Sequence, residues 1–80
     1  MKYRITITKI DENHQDLCDY HTMEVNSKKQ ARVEFLKDHL HINCWGTQID
    51  VYEKSTDKLV VTAIKRVYSN RTWRVLDGKF

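Results

Sequence analysis

Ser27-Lys28-Lys29-Gln30-Ala31-Arg32-Val33-Glu34-Phe35-Leu36-Lys37-Asp38-His39-Leu40 decides the fold, because it is the one stretch whose apolar residues recur at helical spacing. Ser27 stands three residues before Gln30, the spacing at which two side chains satisfy backbone N–H groups at a helix start. At ~100° per residue, Gln30, Glu34, Lys37 and Asp38 form one narrow polar stripe. Ala31, Val33, Phe35, Leu36 and Leu40 spread over the remaining arc, which suits a helix lying across a sheet. Arg32 falls inside that arc, so its stem is expected to pack while its guanidinium reaches past the sheet edge. The helix is expected to end near His41, before Gly46.

On either side of this helix the period is two. Tyr3, Ile5 and Ile7 alternate with Arg4, Thr6 and Thr8, the pattern of a strand with one buried face. The polar run 11–19 has no period and reads as a loop, after which His21, Met23 and Val25 resume the alternation in a second strand. Beyond the helix, three β-rich runs (47–54, 58–68 and 71–76) are separated by Ser55-Thr56-Asp57 and Ser69-Asn70, residues that favour turns. The order is therefore ββαβββ: an α+β domain in which an antiparallel sheet carries one helix on one face.

The register of the later hairpins stays open, because a slip of one residue exchanges buried and exposed faces. A two-residue turn at Thr56-Asp57 places Ile49, Val51, Val60, Ile64, Trp73 and Val75 against the helix. It leaves Tyr52, Val61, Lys65, Val67, Arg74 and Leu76 on the open face. A three-residue turn instead buries Val51, Leu59, Val61 and Ala63.

Eighty residues, 40% of them hydrophobic, suffice for one core and not for a second domain, so residues 1–80 are read as a single domain. With no proline and only two glycines, nearly the whole chain is expected to be ordered. Residues 1–10 alternate and so lack the apolar run of a signal peptide, and no segment reaches membrane-spanning length. A cytoplasmic protein with no membrane association is expected. Two cysteines are too few for a disulfide framework, and both are read as reduced.

Cys18 and His21 followed by His41 and Cys44 form a Cys2His2 set on paper, since thiolate and imidazole are the ligands zinc prefers. The spacing matches no finger, and a buried thiol with surface histidines explains the same residues, so no metal or other cofactor is expected. Catalysis has no support from a phosphate-cradling glycine loop, a GxSxG elbow or an HExxH pair. His14, His21, His39 and His41 would be the acid and base candidates of a small ribonuclease, but they read as solvated side chains and the chain as a non-enzyme.

Charge is more informative. Basic and acidic side chains balance over residues 1–40, whereas residues 41–80 carry an excess of cations. Lys65, Arg66, Arg71 and Arg74 cluster with Tyr68 and Trp73 on the last hairpin, a combination able to meet an acidic protein surface or a nucleic-acid strand. Asp16 and Asp19 lie in an acidic loop elsewhere, and opposite patches on one small domain favour a protein partner with charged surfaces over a bare duplex.

In its length, its start in a strand at Lys2-Tyr3-Arg4-Ile5-Thr6-Ile7 and its lack of catalytic signatures, the chain resembles small phage-encoded anti-defence proteins of the anti-CRISPR type. That resemblance implies stoichiometric inhibition of a host nucleic-acid-processing complex. The expected function is a non-enzymatic binding module that acts, as monomer or homodimer, on a protein component of nucleic-acid machinery. Lys65, Arg66, Tyr68, Arg71, Arg74, Asp16 and Asp19 are its candidate contact residues, and direct RNA or DNA binding by the same hairpin is the alternative.

Overall fold

The alternating segment at the start of the chain becomes an interior strand of the sheet. The computed structural model describes residues 2–37, 43–67, 69 and 71–80, with the backbone alone at Asp19 and Tyr20. β1 (Tyr3–Ile10) lies between β2 (Asp16–Val25) and β3 (Gly46–Glu53), and β4 (Lys58–Arg66) and β5 (Trp73–Gly78) follow. The five strands run β2-β1-β3-β4-β5 with every neighbour antiparallel. With α1 (Lys28–Leu36) between β2 and β3, the ββαβββ order expected from the sequence is present. Flanked by strands on both sides and covered by the helix, Ile5 and Ile7 of β1 are fully withdrawn from water. The second strand begins at Asp16, earlier than the polar loop suggested. Its extra length is accommodated by bulges at Tyr20 and Leu17, which have no partner of their own on β1.

The Ser27 hydroxyl accepts the Gln30 N–H at 3.0 Å, as the spacing implied, while the Gln30 amide oxygen accepts the N–H of Asn26 at 2.8 Å. One stripe of the helix, Ala31 and Phe35, is buried against β1, β2 and β3. Leu36 packs partly against the same core, whereas Val33, on the other side of the helix, is 49% exposed. The helix stops at Leu36, short of His41. Lys37 turns extended, its N–H bonding the Glu34 carbonyl at 3.3 Å, and its ammonium pairs with the Glu34 carboxylate at 2.9 Å. Leu40 and His41 lie outside the described residues.

α1 packs mainly over the first three strands, and aromatic rings carry the cover on to β5. Phe35 meets Trp73 edge-on and Phe80 face-on, both at 6.2 Å between centroids, and Trp73 meets Phe80 at 6.0 Å. Gly78, at φ +78°, gives the chain the turn that precedes Phe80. Arg32 is exposed, and its guanidinium, expected to reach past the sheet edge, lies instead over the Trp73 ring, its Cζ 5.6 Å from the centroid.

The hairpin register follows neither alternative completely. Residues 54–57 form the β3–β4 loop, closed by the Asp57 N–H on the Glu53 carbonyl at 2.7 Å, with Asp57 at φ +55°. A bulge at Val60 lets Val51 face Val61 and Tyr52 face Leu59, so Val61 and Ala63 are buried while Leu59 is thrown onto the open face. A second bulge, at Leu76, keeps Val75 opposite Ala63 and Asp77 opposite Thr62. Two residues beyond Ala63, Lys65 also points to the helix side, opposite Trp73, and is 2% exposed. It is therefore not on the open face, and as a charge offered to a partner it drops out. The loop is tied to the far edge by Lys54, which donates to the Glu24 carboxylate at 2.6 Å; that hydrogen bond and the ammonium charge hold Glu24 below its ordinary pKa.

Candidate functional site

Three elements distant in sequence meet at one end of the open face. Ile10 pairs with Gly46 and Gly46 with Arg66, so β1, β3 and β4 are level there. Trp45 precedes β3 and is held by its carbonyl, which accepts the Val67 N–H at 3.2 Å. In the β1–β2 turn, the Asp11 carboxylate accepts the N–H groups of Asn13 and Gln15, both at 2.9 Å, and its carbonyl accepts that of His14. This self-bonded turn holds His14 at φ +63° and sets its ring 5.4 Å from that of Trp45. The Arg66 guanidinium also lies over Trp45, its Cζ 5.4 Å from the centroid.

Beside this trio runs a cleft of about 340 Å3 lined by His14, Trp45, Ile64, Arg66, Thr72 and Arg74, with Trp73 at its inner side. Ile64, 5% exposed, supplies an apolar floor, and Arg66 and Arg74 are exposed at the rim. Among the described residues no carboxylate lines it. The turn into β5 is shaped by Ser69, whose hydroxyl accepts the Arg71 N–H at 3.3 Å and the Thr72 hydroxyl at 2.9 Å. Such a cleft suits an apolar or flat group carried next to negative charge.

Of the candidates named from the sequence, Arg66 and Arg74 are brought together and Arg71 is exposed close by in the chain. Lys65 is buried on the opposite face. Asp16 is exposed at the start of β2, while Tyr68 and the side chain of Asp19 lie outside the described residues. Sequence reasoning missed Trp45 and Thr72, weighed His14 only as an acid or base, and in the two-residue-turn register set Ile64 against the helix, whereas it lies opposite Arg74 in the cleft. Their convergence depends on β1 pairing with β3, and the only local signal was Trp45 beside Gly46.

The rest of the open face is mixed in sign. Asp50 accepts the Thr62 hydroxyl at 3.0 Å and the Gln48 amide at 3.3 Å. Arg4 lies over the Tyr52 ring at 4.7 Å and pairs with Asp57 at 2.8 Å. A second cavity of about 570 Å3 opens on the helix side, where Lys28, Lys29 and Arg32 gather near Tyr3 and Phe80. No acidic residue stands in the first helical turn to offset these cations or the helix dipole.

For the paper Cys2His2 set, Cys18 is exposed on β2, and the Cys44 thiol donates to the Gly46 carbonyl at 3.1 Å. β1 intervenes, holding the β2 and β3 backbones about 10 Å apart. His41 lies outside the described residues, and among those described no three His, Cys, Asp or Glu side chains converge as metal ligands. His14 is on the cleft and His21 on the edge strand β2, while His39 and His41 lie outside the described residues. No described helix is long and apolar enough to cross a membrane. No family model matches the chain, and neither curated proteins nor solved structures show a significant match to it.

Proposed function

We propose that this chain is a non-enzymatic binding module of the cytoplasm, which engages an acidic surface on a protein component of nucleic-acid machinery through its last hairpin and the cleft beside it. The observation that carries this reading is the cleft itself: an apolar floor at Ile64 and Trp45, a rim of Arg66 and Arg74, and no carboxylate among its described lining residues. Cations around a desolvated aromatic are the usual anchors of an interface, whereas isolated rim charges contribute mainly to encounter rate. A protein surface is favoured over a nucleic-acid strand because Asp50 and Asp57 interrupt the positive potential across the open face, and because Trp73 spends its ring on Phe35 and Phe80 rather than on a base. Likeness to the phage-encoded anti-defence proteins extends the proposal to stoichiometric inhibition of that partner.

The test is capture from a host lysate by the wild-type chain and by the Arg66→Glu/Arg71→Glu/Arg74→Glu variant, each with and without nuclease. All three arginines are exposed, so the variant is expected to keep its melting temperature while losing the partner. A partner retained by wild type after nuclease and lost by the variant supports the reading. A partner released by nuclease alone refutes it in favour of direct nucleic-acid binding, for which log affinity would fall linearly with log salt, by about 0.9 per neutralised duplex phosphate.

A further inference from the structure

The two edges of the sheet are complementary to each other. β5, the free edge beside the cleft, carries Arg74 at the rim and follows Arg71 in the hairpin turn. Beyond Arg74 it exposes Val75 and Leu76. β2, the opposite free edge, begins with Asp16 and Leu17, after exposed Glu12 in the preceding turn. Leu17 is a bulged residue and, at 55%, the most exposed large hydrophobic among the described residues. An exposed leucine next to carboxylates is the counterpart of an apolar cleft rimmed by arginines.

Their heights also agree. Asp16 pairs with Ile10, Ile10 with Gly46 and Gly46 with Arg66, so Leu17 and the cleft lie at the same end of the sheet on opposite sides. A second copy whose β2 edge laps over the open face at β5 brings its leucine onto the cleft, which lies on that face over β4 and the residue before β3. We propose that a second copy of this chain is a ligand of the cleft: Leu17 of one molecule seats beside Trp45 and Ile64 of the next, and Asp16 and Glu12 face Arg71 and Arg74. The contact is heterologous, so it propagates head to tail or closes into a ring. Bulges at Leu17 and Leu76 interrupt the two free edges, which limits continuous backbone pairing and makes the contact one of side chains, reversible and sensitive to salt. This inference does not rest on the function proposed above and is read on the pure protein. It adds that self-association and partner binding exclude each other, since both use the cleft.

The experiment is sedimentation of the purified chain up to about 1 mM, a range that detects even weak contacts, at low and high salt. Mass is expected to rise with concentration and the association to weaken with salt. Arg71→Glu/Arg74→Glu and Glu12→Lys/Asp16→Lys are each expected to stay monomeric. A mixture of the two should associate again, because one supplies an intact β2 edge and the other an intact β5 edge. Leu17→Asn, which leaves every charge in place, should weaken association about tenfold. Melting temperatures confirm that each variant is folded. A wild-type chain that sediments as a monomer throughout, variants that associate like wild type, or a mixture that fails to associate would each overturn the proposal.

Discussion

Gly78 packs against the carbonyl of Val60 so closely that a Cβ at position 78 would overlap that oxygen and stand 3.0 Å from its carbon. The residue combines this contact with φ +78°, so space and backbone conformation both demand glycine. Gly78→Ala is expected to cost about 2 kcal/mol or more, combining left-handed strain with displacement of β5 from β4. Urea denaturation reads it, and a midpoint equal to wild type would mean that the last strand is not seated as described.

Phe35 is 1% exposed and is the helix's contact with both Trp73 and Phe80. Phe35→Ala is expected to destabilise by about 3 to 5 kcal/mol, the range for truncating a buried aromatic. The same variant should change the near-ultraviolet signal of the tryptophans, since Trp73 loses one of its two edge-on neighbours and keeps Phe80. Wild-type stability in the variant would show that the helix offers another face to the sheet.

The purified protein is expected to contain no stoichiometric zinc and to denature at the same urea concentration with or without EDTA. Cys44 is engaged as a thiol donor to Gly46, and Cys18 sits across β1 from it. Structural zinc contributes folding energy outright, so a true site would reveal itself as a large loss of stability in chelator. One zinc per chain by elemental analysis would make Cys18, His21, His41 and Cys44 the ligands to mutate.

Features encoded by neighbouring residues were legible in the sequence. The alternation of Tyr3, Ile5 and Ile7 marks β1, and Ser27 with Gln30 marks the helix start; both are written within a few positions. What was not legible depended on single-residue insertions or on strand order. The bulge at Val60 carries no sequence signature, yet it separates buried Val61 from exposed Leu59 and with them decides that Lys65 faces the helix. The cleft was invisible for another reason: His14, Trp45 and Arg66 belong to three segments, and only the pairing of β1 with β3 brings them level. Arg66 and Arg74 were singled out by charge alone, which finds the cations of such a site and none of its apolar floor.

That same placement of β1 between β2 and β3 has a kinetic consequence. β1 with β2, and β3 with β4 and β5, are two locally connected meanders, each able to zip from its own turn within microseconds. The ladder that unites them, Ile7 against Ile49 and Ile5 against Val51, spans half the chain and waits on closure of the segment containing the helix. The rate at which this protein folds is therefore set at one seam: side chains along the β1–β3 ladder govern how fast the halves dock, and those at β5 govern how long the finished molecule holds its outer edge.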